Sequence, residues 1–358
     1  MTSRAAFAVA ILSLLSCGET RPPAPPSPSP PVVGPVQGWA ALDASPLSPG
    51  NARHDDLFFL DALNGWLVNT RAEVYRTRDG GSSWDRLTRL VEGTVFLRCV
   101  GFASLDKGWA GNINATQGTI PPDSSLFETE DGGRTWANIS TRIAGPPVVG
   151  LCGMRVLGPR TVVAVGRWNG PAVFVKTTDG GRTWSSRSLD GLASGLVDVF
   201  FFNEQDGFAV GGLGVSIAEA DQRASRTVIL ATSDGGETWQ TRYTSAGAGQ
   251  WAWKIDFPSD RVGYVTTEGP SPEGVILKTD DGGATWRPIV VATGAAFQGV
   301  GFVTPSMGWV ASFPTLYATS DGGASWSSLR FGTRINRMRV LNEGLVYACG
   351  DRVYRWAR

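Results

Sequence analysis

Histidine is all but absent from this 358-residue chain: His54 is the only one. Triads built on a histidine base, and His-rich metal sites, therefore lack their parts. A lone His just ahead of a predicted strand reads as an ordinary loop residue. Lysine is nearly as scarce, with four (107, 176, 254 and 278) against 28 arginines. Lys plus Arg and Asp plus Glu are both 32, so the formal charge is zero. That leaves neither a basic field for nucleic acid nor an acidic tail. Beyond the N-terminus no stretch approaches the ~20 apolar residues of a membrane span. What the chain has in quantity is Gly (46) and Trp (14), which suits many tight turns and large aromatic plugs.

The N-terminus is expected to be an export leader. Arg4 precedes an apolar run from Ala5 to Leu15, too short to span a membrane but the right length for a signal-peptide core. Leu14-Leu15-Ser16-Cys17-Gly18 resembles the bacterial lipobox, in which Cys17 becomes the lipidated first residue after removal of residues 1–16. The alternative is an ordinary signal peptide that happens to contain a Cys. Between Arg21 and Pro35 eight of fifteen residues are proline, so residues 17–35 are expected to form a stiff extended tether. Gly18 rather than Asp after the Cys favours the outer membrane where there is one. The chain is thus expected to be exported and lipid-anchored to the cell envelope, alternatively secreted.

Residues 36–358 carry an internal repeat. The pattern Thr-x-Asp-Gly-Gly-x-Ser/Thr-Trp occurs six times. Its acid is Asp79, Asp131, Asp179, Asp234, Asp281 and Asp321, and its aromatic is Trp84, Trp136, Trp184, Trp239, Trp286 and Trp326. Upstream of each lies a second regularity: Phe59/Trp66, Phe102/Trp109, Phe201/Phe208, Phe257/Tyr264 and Phe302/Trp309 are seven apart, and Val156/Val163 keeps the offset with smaller residues. Apolar residues two places before each anchor (Leu57, Val100, Met154, Val199, Ile255, Val300) supply the period of two that marks strand. Four short strands per repeat make a propeller blade. Residues 335–358 supply three further strands and stop; residues 36–43 precede blade one and have no blade of their own. Joining the two closes a seventh blade and removes an exposed edge. The predicted fold is all-β: a seven-bladed β-propeller of four-stranded antiparallel blades, closed by the N-terminal strand. A six-bladed ring is the lesser alternative.

The Asp turn lies between the third and fourth strands. Gly provides positive φ, the Asp carboxylate accepts turn N–H groups, and the Trp is expected to bury its ring between strands. Each Asp belongs to its own blade, so the six are structural and form no metal or acid–base site. These turns resemble the Asp boxes (BNR repeats) of sialidases and related glycoside hydrolases. With Phe, a Gly-Trp strand and the Asp turn in nearly every blade, residues 36–358 look more like the photosystem II stability/assembly factor family. That resemblance implies a secreted, non-catalytic, monomeric propeller that binds a partner protein on the outside of a membrane, with no cofactor and no metal. Nothing in the residues themselves says photosystem.

The loops between second and third strands, and those between blades, share the end of the propeller opposite the Asp turns. Insertions fall there, at 112–124, 213–225 and 268–274, and long variable loops on a rigid scaffold are where binding usually sits. The starts of the inner strands point the same way. Asp56, Arg98, Asp198, Trp253, Lys254 and Arg337 are the candidate binding face, expected as a ring at the channel mouth, with Arg155, Asp256 and Arg339 slightly deeper. Trp and Arg favour binding hot spots; the bland alternative is a solvated channel mouth.

The competing reading is a glycoside hydrolase, sialidase-like or built on two carboxylates. The Arg-Ile-Pro signature of a sialidase is absent, and Tyr243 with Glu268 or Glu273 is the one loosely suitable pair. A carboxylate pair can be recognised only by its separation in space. Gly211–Gly214 leaves a strand without a following helix and is no phosphate loop. Asn114 and Asn138 match the glycosylation sequon by accident. Cys99 and Cys152, one register position apart on neighbouring inner strands, form either a disulfide in an oxidising envelope or two buried thiols. Cys349 reads as a buried small hydrophobe.

Overall fold

The computed structural model describes residues 37–48, 50, 52–90, 96–113, 124–215 and 219–358. The stretch expected to be an export leader, Cys17, the Pro-rich stretch expected as a tether and most of the 112–124 insertion lie outside the described residues. From 37 onwards the chain forms seven antiparallel blades in a ring. Blade one runs His54–Phe59, Gly65–Asn69, Glu73–Thr77 and Asp85–Arg89 from the channel outwards. The next five repeat that order. Blade three adds a short strand, Ile143–Ala144, parallel to its outermost one.

The ring closes as the sequence predicts. Ile335–Asn342, Leu345–Gly350 and Val353–Ala357 form three strands of blade seven, and Trp39–Ala41 is the fourth, with Trp39 opposite Trp356. The Trp356 indole N–H donates to Gln37 O at 2.7 Å, and Trp39 meets Trp309 of blade six edge-on at 5.4 Å.

The aromatic spacing has a physical cause. In five blades the Phe at the end of the inner strand lies flat across the Gly opening the next strand. A Cβ at Gly65 would sit 2.6 Å from the Phe59 ring, and one at Gly108 2.5 Å from Phe102, so only Gly fits. The aromatic after that Gly then stacks on the Phe of the neighbouring blade, Trp66 on Phe102 at 3.7 Å and Tyr264 on Phe302 at 3.5 Å, and in blade seven Tyr347, which follows Val346, stacks on Phe59 at 3.8 Å in the same way. The pattern thus encodes blade-to-blade packing, which carries the core because neighbouring blades share no ladder.

Each Asp turn is a closed hydrogen-bond circuit. In blade two the Thr129 hydroxyl accepts Gly133 N–H at 2.9 Å and donates to Asp131 Oδ1 at 2.9 Å, while the Thr135 hydroxyl donates to Asp131 Oδ2 at 2.6 Å. In blade one Asp79 makes the same bonds with Thr77 and Ser83. Gly132 and Gly133 have φ of +74° and +97°, where a side chain would be strained. Hydroxyl and amide donors of Thr183, Thr238, Thr285 and Ser325 pull the carboxyls of Asp179, Asp234, Asp281 and Asp321 down to about 2. Gly80 N–H donates to Leu63 O and Gly132 N–H to Asp106 O. These bonds tie the Asp turns to the loops between first and second strands, at one end of the propeller. Thr129 is buried, so Thr129→Val leaves Gly133 N–H without its acceptor. We expect a loss of about 1–3 kcal/mol, read by denaturant unfolding; an unchanged midpoint would refute the structural role of the hydroxyl.

The six turn tryptophans sit differently from the expectation of rings buried between strands. Each packs into the seam between its own blade and the one before. Trp84 joins the cluster of Phe59 and Tyr347 between blades one and seven, and Trp136 that of Trp66 and Phe102 between blades two and one. Trp184 packs beside Trp109, Trp239 beside Phe174, Trp286 beside Phe208 and Trp326 beside Tyr264, each partner lying one blade back. Trp184, Trp239 and Trp286 are buried, whereas Trp84, Trp136 and Trp326 are half-buried. The difference follows from their place just after the turn, at the outer end of the seam, where one edge of the ring can meet solvent. The indole N–H groups of Trp136, Trp184, Trp239 and Trp286 donate to the second turn glycine's carbonyl at 3.0–3.2 Å. The Asp turn is therefore also part of the blade-to-blade contact.

Candidate functional site

Inner strands face the channel with one edge unpaired, so their backbone groups need partners from elsewhere. Side chains of the neighbouring blade supply them. Asp56 Oδ2 of blade one accepts Val100 N–H of blade two at 3.1 Å, and Asp198 Oδ2 of blade four accepts Ile255 N–H of blade five at 3.3 Å. Asp256 Oδ2 of blade five accepts Phe302 N–H of blade six at 2.8 Å. From blade seven, Arg339 Nε donates to Leu57 O at 3.0 Å and Asn336 Nδ2 to His54 O at 2.9 Å.

The same inner strands share a second device. In blades one, two, four, five and seven the register against the second strand slips by one residue, between His54 and Asp56, Leu97 and Cys99, Leu196 and Asp198, Ala252 and Lys254, and Ile335 and Arg337. A bulge re-aims one extra side chain. Here the extra residues are Asp55, Arg98, Val197, Trp253 and Asn336, which add a mostly polar tier above Asp56, Asp198, Lys254 and Arg337.

Asp55 Oδ1 takes Arg53 Nε at 2.6 Å and Arg98 Nη1 at 3.2 Å, and the Arg98 guanidinium lies 5.1 Å over the Trp253 ring. Arg337 bridges Asp198 and Asp56, the former at 2.5 Å and the latter at 3.3 Å, and Arg339 Nη2 meets both oxygens of Asp56 at 2.9 Å. Burial pushes the Asp198 carboxyl up, but Arg337 and Lys254 outweigh it and hold it below its ordinary value. Burial also pushes Lys254 down to about 8, Arg155 down to about 10 with the Arg339 charge adding to the effect, and His54 down to about 4. Asp256 and Glu268 are pushed upward by the same desolvation.

The six residues expected as a ring at the channel mouth therefore sit elsewhere. Asp198 is 0% exposed, Asp56 2%, Arg98 and Lys254 4%, Trp253 5% and Arg337 6%. They fill the channel, where Arg98 and Arg337 find carboxylates from other blades. The channel opens at the other end. Two cavities of about 310 and 410 Å³ share Arg155, Arg339, Val340 and Asn342 and reach the loops holding Leu60, Asp61 and Pro258. Those loops belong to the Asp-turn end, opposite the loop-rich end where the sequence places the candidate binding face.

Cys99, Cys152 and Cys349 are all buried free thiols. There is no Cys99–Cys152 disulfide: Cys99 Sγ is turned to Leu151 O at 3.8 Å, and the two strands belong to blades without a common ladder. Among the described residues no cluster of three His, Cys, Asp or Glu could hold a metal ion. Tyr243 lies on the outermost strand of blade four, Glu268 is half-buried at the end of the second strand of blade five, and Glu273 is exposed at the start of the third. Two channel carboxylates without an ion-pair partner among the described residues, Asp256 and Glu268, share blade five. Asp256 stands opposite Tyr264, four residues from Glu268. At ~3.3 Å per residue that is about 13 Å, beyond the ~5–9.5 Å of a glycosidase pair.

No family model and no curated protein matches the sequence. Solved structures do. A propeller described as YCF48 bound to D1 peptide superposes with a TM-score of 0.64 at 18% identity, over 90% of this chain and 97% of that one. YCF48 from Cyanidioschyzon merolae gives 0.65 at 19%, over 89% and 99%. The likeness establishes a seven-bladed propeller. The same fold underlies the GH74 xyloglucanase from Xanthomonas campestris, at 0.63 and 14% identity over 88% of this chain and 53% of that enzyme.

Proposed function

We propose that this propeller is a non-catalytic scaffold on the extracytoplasmic side of a bacterial membrane, anchored through Cys17 and its Pro-rich tether, that binds a segment of an envelope protein. The observation that carries the reading is the loop-rich rim. There, half-buried Trp168 stacks on Trp251 at 6.0 Å, and exposed Phe313 carries the Arg334 guanidinium at 4.9 Å. Aromatic and Arg side chains on a rigid support have the composition of protein-binding hot spots. The likeness to a propeller solved with a peptide bound points the same way. The wide separation of Asp256 from Glu268 argues against the hydrolase alternative.

The test places a photo-crosslinking amino acid at Trp168 or Phe313 in the full-length lipoprotein. We expect one envelope protein to be captured from membranes, and Trp168→Ala with Phe313→Ala to weaken its binding tenfold or more. Hydrolysis of a glycan panel by the purified domain, abolished by Glu268→Gln, would overturn the reading.

A further inference from the structure

At the Asp-turn end of the channel, four cations line the 310 Å³ cavity: Arg155, Lys254, Arg337 and Arg339. Two of them are committed, because Arg337 and Arg339 are ion-paired to Asp198 and Asp56. The other two are not. Neither the Arg155 guanidinium nor the Lys254 ammonium has a hydrogen-bond or ion-pair partner among the described residues, although Lys254 is only 4% exposed. An unpaired buried ammonium costs stability that a hydrophobic residue of the same size would not.

The half-buried carboxylate in the cavity wall, Asp256, cannot balance both. Asp256 spends Oδ2 on Phe302 N–H, and burial drives its carboxyl toward the neutral form. Glu343, the remaining acid of the lining, stands on the loop at the rim. Phe200 holds the Arg155 guanidinium by its face at 4.0 Å, which leaves the N–H donors in the guanidinium plane directed past the ring and free for an acceptor.

We infer that this end of the channel is a binding site for a small phosphate-type oxyanion, held between Arg155 of blade three and Lys254 of blade five, with Arg339 beside it. The two unpaired cations approach from blades on different sides of the cavity. A tetrahedral oxyanion presents acceptors to both and keeps an oxygen over for Arg339, whereas a carboxylate has only two oxygens to share among the three cations. Arg supplies the planar fork and Lys the compact charge that together suit phosphate. The cavity has room for an ester substituent directed toward the Asp-turn surface. The site is independent of the partner surface proposed for the loop-rich rim, on the opposite end of the molecule.

The probes are inorganic phosphate and glycerol phosphate, added to the full propeller with sodium chloride or acetate at matched ionic strength as controls. Saturable thermal stabilisation by phosphate or its ester, absent with chloride and acetate, is the expected result. Preference for inorganic phosphate identifies a free ion as the ligand, and preference for glycerol phosphate identifies an ester. Arg155→Gln and Lys254→Met should each weaken the affinity at least tenfold, while Arg182→Gln, an exposed cation on an Asp turn, leaves it unchanged. In the unaltered protein, phosphate should protect Arg155 from phenylglyoxal, mapped by mass spectrometry. Equal stabilisation by chloride or acetate, no stabilisation by either probe, or undiminished binding in both variants would overturn the site.

Discussion

Replacing Arg337 with Met is expected to lower the unfolding free energy by about 3–5 kcal/mol, the largest loss for any single substitution in the channel. Arg337 is the guanidinium that Asp198 of blade four and Asp56 of blade one share. Both carboxylates are buried and both accept a backbone N–H of the next blade, so neither can move to water once the cation is gone. Met fills much of the volume, so the loss reports a stranded negative charge at Asp198 rather than a void, since Asp56 keeps Arg339. Asp198→Asn should cost much less. Its amide oxygen still accepts Ile255 N–H, and Arg337 keeps Asp56. Combining Asp198→Asn with Arg337→Met should recover part of the single-variant loss, and a double-mutant cycle by denaturant unfolding measures how much. A loss under about 1 kcal/mol for Arg337→Met would mean that the network is hydrated and contributes little.

Lys254→Met is expected to do the reverse and stabilise the fold. The ammonium is buried without a direct partner, and its pKa stands at about 8 against 10.5 in a free lysine. A group whose folded pKa is depressed prefers the neutral form in the fold. The penalty is absent above pH 10.5, grows as pH falls toward 8 and is complete at pH 7. Its size is on the order of 3 kcal/mol, or several degrees in Tm for a chain of this length. The gain should shrink steadily as the comparison is repeated toward pH 10.5, a signature that better apolar packing would not give. The same variant should lose phosphate, so stability and binding move in opposite directions, as expected where a strained residue is kept for a ligand. A Lys254→Met protein less stable than the unaltered chain at pH 7 would show that Lys254 is paired in solution.

Much of the architecture is legible in the residues because its signals are local. Thr129, Asp131, Gly133 and Thr135 close their circuit within seven residues, so the turn can be read without knowing what surrounds it. Phe59, Gly65 and Trp66 are likewise close in sequence, although the reason for their spacing, a ring lying on a glycine, appears only in three dimensions. The turn tryptophans show the limit of that local reading. Trp84 and its five counterparts are placed by the motif, but the seam each one fills belongs partly to the preceding blade. The channel was harder to read. Alternation predicts one inward side chain in two, and the bulges after His54, Leu97, Leu196, Ala252 and Ile335 break that rule. Asp55 and Asn336 were missed for this reason. The one trace they leave is a run of adjacent polar residues where a strand should alternate, as in His54-Asp55-Asp56 and Asn336-Arg337. Arg53, just ahead of the first strand, leaves no trace at all.

The sequence by itself determined the repeat, the position of every Asp turn, the number of blades and the strand that closes the ring, since each depends on contacts within one blade or across a short turn. Tertiary structure decided which charges neutralise one another and which end of the channel stays open. Asp198 and Arg337 are 139 residues apart, and Asp56 and Arg339 are 283 apart. Pairings over such distances follow from the angular order of blades around an axis, and no local pattern records them. The Asp-Gly-Gly turns therefore locate the blades without revealing that the cavity between Arg155 and Lys254 opens at their own end.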